Sequence, residues 1–71
     1  MNCIIIDDEK TARIIIKKLS SQVENLTVVD EFSNAIQAIK YLNDNEVDLV
    51  FLDFHMPDFN GLDFLKTINK P

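Results

Sequence analysis

The chain has 71 residues, 46% of them apolar and 27% charged, and its 12 acidic against 7 basic side chains leave a net charge of -5. That balance describes one globular domain at most and excludes a disordered tail, a collagen and a membrane protein. The acidic surplus also argues against phosphate-backbone binding as the main task, because nucleic-acid footprints are basic.

The first element is the continuous apolar run Cys3-Ile4-Ile5-Ile6, β-branched at three of its four positions and stopped by Asp7 and Asp8. Such a run predicts a strand covered on both faces, as in a parallel sheet. It has no basic lead and is far shorter than a signal core or a membrane span of roughly 20 apolar residues, so nothing in it targets or anchors the chain. The single Cys3 has no partner for an internal disulfide, which suits a reducing compartment and places the protein in the cytoplasm. Inside a strand, Cys3 is expected to pack as a small hydrophobe.

From Lys10 to about Val23 the apolar residues Ala12, Ile15, Ile16, Leu19 and Val23 recur at helical steps. Lys10, Arg13, Lys17 and Lys18 take much of the other side, as a solvated face. Leu26-Thr27-Val28-Val29 then predicts a second strand, closing at Asp30-Glu31 before Phe32. Ser33 or Asn34 is the expected N-cap of a second helix, in which Ala35, Ile36, Ala38, Ile39 and Leu42 keep helical spacing until Asn43-Asp44-Asn45. Val47–Leu52 holds the run Leu49-Val50-Phe51-Leu52, which ends at Asp53 much as the first strand ends at Asp7. After a loop with Pro57 and Gly61, the residues Leu62, Phe64, Leu65 and Ile68 predict a last short helix. Phe51, Phe54, Phe59 and Phe64 are read as core and loop packing.

This βαβαβα alternation implies a parallel sheet with right-handed crossovers. Three strands are few for such a sheet and leave an apolar edge unpaired, so the chain is expected to be the front part of something larger.

In open α/β sheets the functional crevice lies outside the carboxyl ends of the strands, where Asp7, Asp8 and Asp53 sit. If the first and third strands are neighbours about 4.8 Å apart, three carboxylates meet at one sheet edge. Their repulsion is relieved by a proton or a hard cation, and Mg²⁺ suits such oxygen ligands. With the charge neutralised, one carboxylate can attack a phosphoryl group to give an aspartyl phosphate.

Asp7-Asp8-Glu9 after an apolar strand, followed by Leu49 through Asp53, then Met56-Pro57 and Gly61, resembles the bacterial response-regulator receiver domain. The resemblance runs from Met1 to Ile68, and the stretch from Asp48 through Leu65 looks most like receivers that precede LytTR-type DNA-binding domains. It implies a flavodoxin-like α/β fold, truncated here to βαβαβα with strand order 2-1-3. It also implies that residues 1–71 form an incomplete receiver, without strands 4 and 5, their helices, or the hydroxyl residue and lysine that contact the phosphoryl group. Lys66, Thr67 and Lys70 are the right residue types for that pair but fall on or after the last helix.

Carried over by position, the resemblance makes Asp53 the phospho-acceptor and Asp8 and Asp53 direct Mg²⁺ ligands. Asp7 acts mainly through metal-bound water, and the backbone carbonyl of His55 completes the protein ligands. Met56, Pro57 and Gly61 shape the loop, while the His55 side chain sits at the pocket mouth. A sensor histidine kinase would donate the phosphoryl group and dock near the first helix, and the whole protein would turn it into an output such as transcription. The receiver then catalyses only its own phosphorylation and dephosphorylation, weakened here by the missing contacts. No membrane and no direct nucleic-acid contact are expected. An alternative is a truncated receiver acting only as an oligomerisation module, a dimer or larger homo-oligomer formed through the 49–52 edge. A haloacid-dehalogenase-type hydrolase fits least, because Asp53-Phe54-His55 lacks that family's second acid. Asp58-Phe59-Asn60-Gly61 lacks the offset and the twelfth-position glutamate of a calcium loop.

Overall fold

The computed structural model describes residues 1–53 of the chain. The expected last helix and the loop residues His55, Met56, Pro57 and Gly61 lie outside that range. The described elements alternate as β1 (Asn2–Ile6), α1 (Lys10–Ser20), β2 (Thr27–Phe32), α2 (Ala35–Asp44) and β3 (Leu49–Leu52). All strand pairings are parallel, in the order β2-β1-β3, so the apolar run of β1 lies at the centre. This is a flavodoxin-like βαβαβ arrangement with the expected 2-1-3 order.

Position explains composition. Cys3, Ile4, Ile5 and Ile6 are all fully buried, and removing each large aliphatic side chain from water stabilises the fold by about 1.5–3 kcal/mol. Alternation along the strand sends Ile4 and Ile6 to one face, where they pack with Ala38 and Leu42 of α2, flanked by Phe32, Val50 and Leu52. Cys3 and Ile5 occupy the opposite face. The chain passes from β1 to β2 on one side and returns past β1 to β3. Right-handed crossovers therefore put α1 and α2 on opposite faces.

The α2 helix follows its sequence closely. Asn34 is the N-cap, its side chain accepting from the Gln37 amide at 3.0 Å, and the helix ends at Asp44 within the expected breaker. Ile36 departs from the expected face and is exposed.

The α1 helix departs further. It stops at Ser20, where the expectation ran to about Val23, and tightened turns follow: the Gln22 amide donates to Leu19 and the Val23 amide to Ser20. Asn25 then adopts φ 65°, a left-handed conformation that asparagine tolerates. Ile15, Leu19 and Val23, expected inside, are exposed at 53%, 60% and 52%, while Ser20 is buried at 4%. On a wheel of 100° per residue the buried stripe is rolled by roughly 60° from the apolar one, toward Arg13 and Ser20.

β2 is also displaced from its expected span, running past Val29 to Phe32. Cys3 pairs with Val28 but Ile4 pairs with Asp30, so Val29 is an extra, bulged residue. A one-residue shift changes the face to which every later side chain points. Without the bulge Glu31 would lie beside Ile6 on the α2 face; with it, Glu31 pairs with Ile5 and faces α1.

Candidate functional site

The backbone hydrogen bonds continue one residue past the strand ends. The Asp7 amide donates to the Phe32 carbonyl at 3.0 Å and the Asp53 amide to the Ile6 carbonyl at 3.1 Å. The two aspartates therefore leave β1 and β3 side by side, and Asp8 follows in the turn to α1. One carboxylate oxygen from each of Asp7, Asp8 and Asp53 lies within 4.8 Å of the others. The three residues grade from buried Asp7 through half-buried Asp53 to exposed Asp8. A cleft of about 260 Å³ opens beside Asp7 and Asp53, its apolar wall including Ile16 and Phe51.

The carboxylates differ in what already holds them. Asp7 is 8% exposed, and its Oδ1 accepts the Glu9 amide at 2.9 Å, an Asx turn that ties the side chain to its own loop. That bond serves α1, whose N-cap residue Glu9 makes no side-chain cap of its own. Mg²⁺ holds oxygens at about 2.0–2.1 Å, so adjacent ligand oxygens stand about 2.9 Å apart and opposite ones about 4.1 Å. Three hard carboxylate oxygens gathered within 4.8 Å are the donor type that such an ion takes, and modest side-chain adjustment would bring them to its spacing.

Two residues near the cluster were assigned to a solvated face and to a strand end by sequence, and the structure corrects both readings. Arg13 donates through Nη1 to the Asp7 carbonyl at 2.7 Å and through Nε to Glu31 Oε1 at 2.9 Å. Lys17 forms a second ion pair with Glu31. Lys10 and Lys18 remain exposed, as expected. Hydrogen bonds from Lys17 first and Arg13 second hold the Glu31 carboxyl below its ordinary range. A local signal for Arg13 does exist. Side chains on a helix lean toward its N-terminus, and Arg13 lies one turn into a helix that starts just after the acid pair. Glu31 has no such signal, because the bulge at Val29 sets its direction.

Cys3 behaves as expected of a core residue: it is fully buried, and burial pushes its thiol above the ordinary value, with the amino-terminal charge pulling the other way. Among the described residues no helix is long and apolar enough to cross a membrane.

Residues 3–71 match the response regulator receiver domain family. The chain is 40% identical over 67 residues to a protein-glutamate methylesterase/protein-glutamine glutaminase of Burkholderia thailandensis, covering 94% of this chain and 19% of that protein. It is 33% identical over 69 residues to an uncharacterized response regulatory protein of Vibrio cholerae, covering 97% and 29% respectively. With the nitrate/nitrite response regulator protein NarL of Escherichia coli it shares 37% identity over 67 residues, covering 94% and 31%. The chain thus spans less than a third of the length of these relatives. No solved structure matches.

Proposed function

Because the chain belongs to the response regulator receiver family of two-component systems, we propose that Asp53 accepts a phosphoryl group from a phosphohistidine of a sensor histidine kinase, with Mg²⁺ held at Asp7, Asp8 and Asp53. The observation that carries this reading is the meeting of three carboxylates from two strand ends within 4.8 Å. The backbone carbonyl of His55 is the further ligand in this reading, and Met56, Pro57 and Gly61 shape the loop around it.

The division of labour follows from the surroundings. Asp7 is a poor nucleophile, being buried with one oxygen committed to the Glu9 amide. Asp8 is exposed on a turn, while Asp53 is half-buried at a strand end whose amide is fixed to β1. A nucleophile needs both a fixed direction and access, and Asp53 combines them. Its carboxylate oxygen forms the new bond to phosphorus as the bond from phosphorus to the donor imidazole breaks, and the departing imidazole takes up a proton. The cation, when bound, supplies charge neutralisation at the phosphoryl oxygens.

The finer assignments belong to the same reading. Residues 1–71 are the front portion of the domain, acting in the cytoplasm, with an output of the LytTR type in transcription and no direct contact between this chain and nucleic acid. The chain's chemistry is confined to its own phosphorylation and dephosphorylation. A second reading, a homo-oligomer formed through the edge of β3, is favoured by one observation: β3 pairs on one side with β1 and ends the sheet among the described residues. Light scattering across micromolar concentrations separates the two readings, since a strict monomer removes the second.

The test of phosphoacceptance is incubation of the chain with a phosphorylated histidine kinase and Mg²⁺, read by intact mass. The expected result is addition of one phosphoryl group, labile to hydroxylamine and absent in Asp53→Asn. Equal labelling of Asp53→Asn would assign the acceptor elsewhere.

A further inference from the structure

Arg13 is oddly placed for a residue with only a solvent role. It sits in the first turn of an 11-residue helix that carries no acidic residue in that turn, where the helix dipole favours anions and disfavours cations. Its side chain is only 14% exposed, and burying a guanidinium requires that its donors be satisfied. Two of them are, by the Asp7 carbonyl and the Glu31 carboxylate. The Asp7 carbonyl is the backbone group that joins Asp7 to Asp8, so whatever fixes it fixes the peptide between two of the three clustered carboxylates.

Two features far apart in sequence converge on this contact. The bulge at Val29 turns Glu31 toward α1, and the roll of α1 brings Arg13 and Lys17 onto Glu31 at the cost of exposing Ile15 and Leu19. The helix is therefore seated by a polar anchor together with the half-buried Ala12 and Ile16, and not by the whole of its apolar stripe.

We propose that Arg13, oriented by Glu31, is a positioning residue for the acid cluster: by holding the Asp7 carbonyl it sets the β1–α1 turn in the geometry that receives a divalent cation. This inference rests on the reading of Asp7, Asp8 and Asp53 as a cation site. It has a distinctive sign. If Arg13 acted only as a nearby positive charge, removing it would tighten binding of a dication. As a positioning residue, its removal weakens binding, by about 10-fold or more, the range found when groups that orient metal ligands are lost.

The experiment has two arms, both on the whole chain. In the metal-free arm, ¹⁵N relaxation is measured for the wild type, Arg13→Met and Glu31→Gln. The amide order parameters of Asp8 and Glu9 are expected to fall from about 0.85 toward 0.6 in both variants. The Asp7 amide, held by Phe32 of β2, keeps its value. In the second arm MgCl₂ is titrated by calorimetry into the same proteins, with Arg13→Lys and Lys18→Met added. Arg13→Met is expected to lose about 10-fold in affinity and Arg13→Lys to recover part of it. Lys18→Met, which removes an exposed cation of the same helix, leaves affinity unchanged or slightly raised.

Unchanged order parameters, or Mg²⁺ affinity that is equal or higher in Arg13→Met, overturn the proposal. Should Arg13→Met fail to fold, Arg13→Lys carries both arms, because it keeps the charge and loses the guanidinium's paired contacts: a charge-only role predicts no change in either readout, and the positioning role predicts a partial loss in both. If the folded wild type binds no Mg²⁺ while the order parameters still fall, the cation reading fails and the positioning of the turn stands.

Discussion

The two helices are alike in length and amphipathic pattern, yet they are held against the sheet by different forces. α2 buries Ala38 and Leu42 against Ile4 and Ile6, and its start is fixed by a local cap at Asn34. α1 leaves Ile15 and Leu19 largely in water and seats itself through Arg13, Lys17 and Glu31. Apolar burial is non-directional and tolerates a small roll, whereas a guanidinium bonded to a carbonyl and a carboxylate does not. The helix beside the acid cluster is the one whose orientation is fixed by directional bonds, which is what a site that must hold its geometry requires.

The largest effect expected from breaking that contrast lies in the α2-side core. Ile4→Ala should cost about 2–5 kcal/mol in denaturant unfolding, because Ile4 is fully buried. By the same measurement Leu19→Ala, at a site 60% exposed, should cost less than about 0.5 kcal/mol. Equal losses would mean that α1 is seated on its apolar stripe after all.

The caps come next. Asn34→Ala removes the acceptor of the Gln37 amide and should destabilise the chain by about 1 kcal/mol, seen as a lower thermal midpoint. The polar anchor of α1 is smaller in stability, since partly exposed ion pairs are worth up to about 1 kcal/mol. It carries a pH signature. The folded-state pKa of Glu31 is depressed from its ordinary 4.5, so the stability that this carboxylate contributes is present at neutral pH and is lost as pH falls through the depressed value. Glu31→Gln should be the less stable protein at pH 7 and should converge on wild type in acid. A difference between the two that persists undiminished at pH 2 would refute the ion-pair account. The smallest effect is at Cys3, whose buried, raised thiol should resist iodoacetamide in the native state and react only on unfolding.

The sequence is most legible where structure is local or periodic. The isoleucine run declares a central strand, Asn34 declares a cap, and the parallel endings of β1 and β3 at Asp7 and Asp53 declare the cluster. The sheet order that brings those ends together followed from the family resemblance. What could not be read was long-range and polar. Glu31 reaches α1 only because Val29 is bulged, and no period in the sequence marks a bulge between Val28 and Asp30. Arg13 counts as a solvated residue on a helical wheel until Glu31 and the Asp7 carbonyl are placed beside it. The apolar spacing of Ile15 and Leu19 marks a face that the described residues leave uncovered, because helical periodicity records where apolar residues lie and not which bonds seat the helix.

The central claim, that the strand-end carboxylates form one cation-binding phosphoacceptor site, is tested most directly by titrating Mg²⁺ into the chain and following backbone amides by NMR. Saturable shifts confined to Asp7, Asp8, Asp53 and their neighbours, abolished in Asp8→Asn and weakened in Asp53→Asn, are the expected result. A well-dispersed spectrum of the folded chain with no saturable shift at these three residues would contradict it.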